Sequence, residues 1–358
     1  MDSTNNYQKL VRKFTNHNIF NVTFETLEAE IENTSVITNK IIINAGSDYV
    51  TQSFDVKALL MPFSGYNITK ESLIPCYKLI KLSKNFKKIT RVFLVGYSHL
   101  SIKNSIYISP YDFYEVNQEK KSFEIDKTVY EEILKNEVLK KCTEKFDLNS
   151  YSMTTFIESN GSIREKEEES TESVEDNEFT FDVHLAFLSH LFERVTIVPI
   201  WININPTSHS NCKDILSKLA SVLNSYMKKE ENFFLFSSNL TYFGRMYNFF
   251  GDGKQENKEF KSKSFLRDPK NEEKAKNFVK SLDDQGFDLL YKKNVDALMK
   301  ISNFNYSREL LSTLIYLISD SNLCEDKMNY QIIRNESIEE GYELNLVSFG
   351  SYVYYNLY

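Results

Sequence analysis

The 358-residue chain has little of what marks several common protein classes. Glycine (10) and proline (6) are scarce, and the four cysteines are far apart without a Cys-x-x-Cys pair. Such spacing favours reduced thiols over a disulfide framework or a zinc knuckle. No apolar run approaches the length of a membrane-spanning helix, and the start "MDSTNNYQKLVRKF" lacks the apolar core of a secretion signal. We therefore expect a soluble, cytoplasmic protein without membrane insertion.

The common catalytic and phosphate-binding motifs are also missing. The sequence contains no glycine-rich phosphate loop, no Gly-x-Ser-x-Gly elbow and no His-Glu-x-x-His pair. The stretch "GDGKQ" (Gly251–Gln255) resembles a turn, because no Gly-Lys-Ser/Thr that would start a helix follows it. No standard hydrolase, kinase or metalloprotease site is predicted.

Charge of one sign is concentrated in a single segment. Residues 158–178 hold nine acidic and two basic residues, which accounts for the whole formal net charge of −7. This segment has almost no apolar residues and is predicted to be an acidic, disordered insertion. The remainder is neutral and supplies no strong field for nucleic acid, so we expect no nucleic-acid partner.

What the sequence does contain is an alternation of strand-like and helix-like segments. Val92–Val95 and Asn232–Ser238 are short apolar runs typical of buried strands, whereas Asp126–Asn136 begins with an Asp N-cap and reads as a helix. This pattern predicts an α/β fold with a central, mostly buried sheet flanked by helices. The even spread of strands favours a single domain over residues 1–358.

Two further segments are predicted to form strands. Arg194–Asn203 is rich in β-branched residues, and we expect Pro199 to impose a bulge or an end there. The tail, Leu344–Tyr358, is predicted to form a closing strand pair.

A histidine follows one of the predicted strands. Gly96 ends the run Val92–Val95, and Ser98 and His99 come directly after it. Ligands of α/β folds gather beyond the carboxyl ends of strands, so His99 is a candidate site residue. A hydrogen-bonded loop imidazole is the plainer interpretation of the same pattern.

Six segments, taken in chain order, resemble the Memo family, named for a mediator of receptor-driven cell motility. They are "LVGYSHLSI", "FEIDKTVYEEILK", "FTFDVHLAF", "FFLFSSNLTYFGRMY", "SLDDQGFDLL" and "LVSFGSY". The resemblance implies the fold of the LigB-type, or class III, extradiol dioxygenases. It covers nearly the whole chain after residue 56, and residues 1–56 form a divergent amino-terminal region.

The family's metal-binding positions are largely replaced in this chain. The resemblance places a ligand histidine of a Pro-His-Ala-Gly-Tyr motif at Phe63 in "PFSGY", which ends at Tyr66. It places a second ligand at His99, which is retained, and a ligand cysteine at Tyr306 in "NFNYSREL". Only Arg308 keeps the pattern of that last motif.

Accessory positions of the family are partly kept. An Asp and a His of one family motif have become Asn239 and Tyr242, whereas Asp182 and His184 keep the acid and the imidazole of another. The first His of that second motif has become Phe179. The predicted ancestral pocket consists of Phe63, Tyr66, His99, Asp182, His184, Asn239, Tyr242, Tyr306 and Arg308.

Donor chemistry decides what the replacements imply. An iron or copper site needs about three nitrogen, sulfur or carboxylate donors. Phenylalanine has no lone pair, and a neutral phenol with a pKa near ~10 is a poor donor at neutral pH. A remodelled set of His99, Asp182 and His184 is the alternative, but residues two apart on a helix point to different faces.

Three hypotheses remain open. The first is a non-catalytic, cofactor-free Memo-like protein that binds a protein or peptide. The resemblance implies this kind of ligand, since members of the family recognise phosphotyrosine-containing peptides. Its binding surface would be the rim of the pocket: Tyr66, His99, Tyr242, Arg245, Tyr306 and Arg308. The second is a metal-dependent (iron or copper) oxidoreductase with the remodelled site. The third is a structural subunit of a larger complex that docks through residues 158–178.

Overall fold

The computed structural model describes most of the chain. The described residues are 11–14, 23–50, 52–98, 105–116, 121–145, 153–157, 163–167, 179–204, 211–251, 259–301, 304, 307–334 and 342–358. Within them, the helices α1–α10 are Phe24–Asn33, Tyr66–Leu82, Thr128–Lys135, Glu137–Cys142, Asp182–Leu191, Cys212–Met227, Lys263–Leu266, Glu272–Tyr291, Val295–Leu298 and Arg308–Ile318.

The strands of the same residues are numbered β1–β16. They are Val11–Phe14, Val36–Ile37, Ile42–Ile43, Phe54–Met61, Arg91–Gly96, Ser105–Ile108, Phe113–Val116, Lys121–Ile125, Thr143–Lys145, Met153–Ile157, Ile163–Glu167, Thr196–Asn203, Asn232–Ser237, Tyr242–Phe243, Cys324–Arg334 and Leu346–Leu357.

A mixed sheet of twelve described strands organises the fold. Its order is β1-β7-β8-β12-β5-β13-β4-β16-β14, with β15 on β16, β6 on β12 and β9 on β6. The strands β8, β12, β5, β13 and β4 run parallel, and β16 is antiparallel to β4. Strands β4 and β13 are buried along their whole length. Parallel strands of this kind need cover on both faces, because neither side is polar enough to meet water.

Helices provide that cover. One group, α1, α2 and α5, packs together and contacts β4 and β16, and a second group, α3, α4, α6 and α10, packs together and contacts β12 and β13. The predicted α/β fold with a buried central sheet flanked by helices is confirmed, and it is consistent with the LigB-like fold. None of the described helices is long and apolar enough to cross a membrane.

The prediction of a break at Pro199 is wrong. Strand β12 runs from Thr196 to Asn203 without interruption, and Pro199 pairs with Leu94 of β5. On the other side of β12, pairing with β8 ends at Ile197 and pairing with β6 begins at Ile200. Pro199 therefore lies between the part of β12 that pairs with β8 and the part that pairs with β6. Its missing N–H removes no hydrogen bond from either ladder.

The predicted closing strand pair is also wrong. The tail forms one strand, β16, which continues through Gly350 and pairs with β15 and β4. A Cβ at Gly350 would lie 2.8 Å from Leu240 Cδ1. The glycine thus marks a close approach of a side chain to the strand and not a turn.

Residues from the amino-terminal region are joined to the body of the fold. The buried ammonium of Lys78, on α2, donates to Glu32 O and Thr34 O, each at 2.8 Å. These carbonyls lie at the end of α1 and just after it, where backbone acceptors lack helical partners. Further along the chain, Ile163–Glu167 forms β11 within the predicted acidic insertion and pairs with β10. The rest of residues 158–178 lies outside the described residues.

Candidate functional site

The carboxyl ends of three central strands form one edge of the sheet. Ser237 at the end of β13 is in register with Met61 of β4 and with Gly96 of β5. The segments that follow these strands carry Phe63, Ser98 and Asn239. The sheet therefore brings together positions that the sequence places far apart, as expected for an α/β fold.

Phe63, which the resemblance places at the family's first ligand position, is part of the packing. Its backbone N–H donates to Asn239 Oδ1 at 3.0 Å, and its buried ring makes an edge contact with Phe179, with ring centroids 5.9 Å apart. Asn239 Nδ2 in turn donates to Tyr242 Oη at 2.9 Å. These predicted site residues are brought together, and Asn239 links the segments that follow β4 and β13.

A cavity of about 250 Å³ opens beside this cluster. We call it the aromatic cavity. Its described lining is mainly apolar, with Arg334 as the only charged side chain among the residues Phe63, Ser64, Ile68, Phe179, Asn239, Tyr242, Tyr247, Ile333, Arg334, Val347 and Phe349. Concave apolar surfaces with a few polar groups are the usual form of binding sites.

Arg334 was missed by sequence reasoning. It ends β15, and its guanidinium lies 4.7 Å from the centre of the Tyr342 ring, with Nη1 3.4 Å from Glu272 Oε2. No motif surrounds it, and its place beside the cavity follows from the pairing of β15 with β16. Ile68 and Phe179 also line the cavity and keep 41% and 39% of their surface exposed, so its mouth is apolar.

Tyr66 does not line the aromatic cavity. It begins α2, and its buried hydroxyl donates to a carboxylate oxygen of Glu30 on α1. Its ring packs against Phe187 of α5, with centroids 5.9 Å apart. Tyr66 thus joins three helices.

His184 is completely buried and lies in a chain of hydrogen bonds. Its Nδ1 is 3.0 Å from Tyr77 Oη, and its Nε2 is 2.9 Å from Ser237 Oγ. Ser237 donates its own proton to Thr180 O at 2.7 Å. Ser237 must therefore accept from His184 Nε2–H, which leaves Nδ1 to accept from Tyr77. Both ring nitrogens are used.

The electrostatics of His184 agree with this assignment. Burial lowers the pKa of the imidazole to about 3, so the ring is neutral at physiological pH. Although Ser237 and His184 are at the distance of a nucleophile and its base, the serine proton already goes to Thr180 O and both side chains are buried. The arrangement fixes α5 and α2 to the end of β13.

Asp182, the carboxylate of the predicted metal set, does not take part in the hydrogen bonds of His184. Asp182 is in the first turn of α5 and is partly exposed, and neither nitrogen of His184 bonds to it. His99 and Tyr306 lie outside the described residues. Among the residues that are described, no group of three or more His, Cys, Asp and Glu side chains is arranged to hold a metal ion.

The two predicted rim arginines are engaged elsewhere. Arg308, at the start of α10, donates to Ile301 O at 2.6 Å, and Arg245 Nη1 lies 3.9 Å from Glu343 Oε1. Neither side chain is among the described residues that line the aromatic cavity. The cavity thus contains Phe63, Asn239 and Tyr242 of the predicted set, without Tyr66, Asp182, His184 or Arg308.

Two comparisons with known proteins bear on the family of this chain. A search of curated proteins found no match. The family model described as Memo-like protein matches residues 25–308, which is most of the chain. The match begins inside the amino-terminal region that the motifs leave out. The chain therefore belongs to the Memo-like protein family.

Proposed function

We propose that this Memo-like protein is a non-catalytic, cofactor-free binding protein of the cytoplasm, which recognises a protein or peptide partner through the aromatic cavity. One observation carries the proposal. At the family's first metal-ligand position, the ring of Phe63 packs on Phe179 and forms part of the cavity wall. A side chain without a lone pair adds apolar contact area there and cannot coordinate a metal.

The lining favours a partner that offers an apolar or aromatic side chain beside an anion. Aromatic rings supply large contact areas at low entropic cost, and arginine receives phosphate or carboxylate oxygens. Arg334 is 28% exposed and shares its charge with Glu272, so a ligand anion would compete with that carboxylate. Arg334 replaces Arg245 and Arg308 in this proposal. Phosphotyrosine-containing peptides, the ligand class implied by the family, have the required chemistry.

The metal-dependent oxidoreductase is less well supported. It would need His99, Asp182 and His184 to converge on one ion. His184 Nδ1, which carries the lone pair, would first have to give up Tyr77, and this leaves the buried Tyr77 hydroxyl without its partner at a cost of about 1–3 kcal/mol.

The experiment measures binding of a panel of phosphotyrosine peptides to the full chain by fluorescence polarisation. Ile68→Glu places a charge at the mouth of the cavity, and we expect it to weaken the best binder about tenfold or more. Ile37→Glu is the control, because Ile37 is 72% exposed and lies outside the cavity lining. It should leave the affinity unchanged.

Arg334→Gln tests the anion separately from the apolar contact. It should weaken phosphorylated peptides more than their unphosphorylated counterparts, whereas Arg245→Gln should have no effect. If Ile68→Glu and Ile37→Glu bind equally well, the cavity is not the binding site. If deletion of residues 158–178 removes every co-purifying partner while both cavity variants keep them, the structural-subunit hypothesis replaces this one.

A further inference from the structure

A buried carboxylate joins three segments behind the aromatic cavity. Asp283, on α8, has no exposed surface. It accepts hydrogen bonds from Thr241 Oγ1 at 2.5 Å and from Tyr330 Oη at 2.7 Å. Thr241 Oγ1 also accepts from the Phe304 N–H at 3.2 Å. One side chain therefore links α8 to the segment after β13, to β15 and to the residue Phe304.

No described Lys, Arg or His forms an ion pair with Asp283. Asp284, its neighbour on α8, pairs with Lys280 at 2.5 Å. The ammonium of Lys327 on β15 lies over the rings of Phe287 and Tyr330, 4.5 and 4.4 Å from their centres. On the side of strand β16, the groups near Asp283 are the hydroxyl of Ser348 and the phenol of Tyr352. The surroundings of Asp283 are completed by the hydroxyl of Thr241 and the ring of Phe304.

Ionisation of the Asp283 carboxyl in the closed structure therefore costs free energy. Burial raises the pKa of Asp283 to about 6, although the hydrogen bonds from Ser348, Thr241 and Tyr330 act in the opposite direction. Lys327 interacts with Asp283 electrostatically but forms no ion pair with it. The carboxylate therefore still gains free energy from water, and any opening that hydrates Asp283 is favoured when it is charged. As the neutral acid, it can donate to one hydroxyl and accept from the other without that cost.

The bonded segments continue directly into the cavity wall. Thr241 lies between Asn239 and Tyr242, which both line the cavity, and β15 ends in Ile333 and Arg334. Opening at Asp283 would therefore loosen two walls of the same cavity.

We propose that Asp283 is a proton-controlled latch on the wall of the aromatic cavity: its neutral form holds Thr241 and Phe304 in place, and its charged form favours their release towards water. The latch does not depend on what the cavity binds. Its sign follows from linkage. The free energy that neutral Asp283 gives the closed state, relative to the open state, is fully present below the ordinary aspartate pKa. It is lost as the pH rises through the pKa that Asp283 has in the folded state.

Hydrogen exchange of the full chain tests the latch. After correction for intrinsic exchange, the opening constants of the amides in 239–247 and of Phe304 should rise about tenfold between about pH 5 and pH 7.5. Asp283→Asn keeps the shape and removes the titration, so its opening constants should not change with pH. Asp284→Asn is the matched control and should keep the wild-type profile.

A second variant protects the test against misfolding of Asp283→Asn. Tyr330→Phe removes a hydrogen bond that favours the charged form, so it should move the midpoint of the transition to higher pH. PH-independent opening in the wild-type protein would overturn the proposal. A transition that persists in Asp283→Asn, or an unshifted midpoint in Tyr330→Phe, would overturn it as well.

Discussion

Gly286 of α8 lies directly against the ring of Phe304, so that a Cβ on the glycine would be 2.2 Å from Phe304 Cε2. Phe304 itself has a positive φ of 53° and is completely buried. The ring also packs against Phe287, with ring centroids 5.4 Å apart, so it can turn away from α8 only by displacing other core side chains. A glycine within the helix makes this close approach possible.

Gly286→Ala should destabilise the protein although alanine is the better helix former. Alanine gains up to about 1 kcal/mol of helix propensity, but overpacking against Phe304 costs about 1–3 kcal/mol. We expect a net loss in the free energy of unfolding, measured by urea denaturation. The double variant Gly286→Ala/Phe304→Leu should recover part of it. Additive losses would show that the two residues are not coupled.

Lys78 should be one of the most sensitive charged positions of the chain. Lys78→Met keeps the length of the side chain but leaves the carbonyls of Glu32 and Thr34 without their donor, which should cost about 1–3 kcal/mol. Hydrogen exchange over residues 31–44 should accelerate more than exchange in β4 or β5.

Lys81→Met is the matched control for Lys78→Met. Lys81 is on the same helix and forms a half-exposed ion pair with Glu28. Its replacement should cost less than about 1 kcal/mol. Equal losses for the two variants would mean that the ammonium of Lys78 does not hold the amino-terminal segment.

His184 predicts how stability changes with acidification. The unfolded chain binds a proton at the ordinary histidine pKa, near ~6.5, whereas burial holds the folded pKa at about 3. The folded state thus loses stability as the pH falls below ~6.5, by at most about 1.4 kcal/mol per pH unit. Asp283 acts in the opposite direction over part of this range, so each contribution has to be read from its own variant.

His184→Gln should remove the acid-dependent loss that His184 causes. Glutamine can accept from Tyr77 and donate to Ser237 but does not titrate. Its free energy of unfolding should fall less steeply than that of the wild-type protein between about pH 6.5 and pH 5. His190→Gln, on the same helix, is the control. An unchanged slope in His184→Gln would contradict the neutral, buried imidazole.

The sequence predicted strands well where an apolar run is unbroken. The apolar run Val92–Val95 and the segment Asn232–Ser238 became β5 and β13 because they are buried on both faces. The predictions of a break at Pro199 and of a strand pair in the tail Leu344–Tyr358 were wrong because the role of a proline or a glycine depends on its neighbours in the sheet. A proline costs nothing where two partner strands meet end to end, and a glycine in a strand need not turn it.

The candidate site was predictable only in part, for a similar reason. Phe63, Asn239 and Tyr242 follow strand ends, which sequence patterns can locate. Arg334 lies at the end of β15, and the place of β15 in the sheet depends on its long-range pairing with β16. Arg245 and Arg308 looked equally suitable in the sequence, but the contacts with Glu343 and Ile301 are tertiary.

Metal content distinguishes the binding protein from the oxidoreductase. The resemblance implies that Phe63 and Tyr306 replace two ligands of the family, so we expect the full chain grown with iron and copper to retain far less than one equivalent of either metal. Elemental analysis of the purified protein gives this measurement. Stoichiometric metal that disappears in His99→Ala would instead support the remodelled oxidoreductase.

A gain of metal binding provides the stronger control. The double variant Phe63→His/Tyr306→Cys places an imidazole and a thiol at the two replaced ligand positions, with His99 as the third. Three nitrogen and sulfur donors suit iron, copper or zinc, so this variant should take up metal where the wild-type chain does not. Phe63→His alone supplies only two donors and should bind weakly. If neither variant gains metal although both fold, the carry-over of the family's ligand positions onto this chain is wrong, and the replacements at Phe63 and Tyr306 no longer support loss of a metal site.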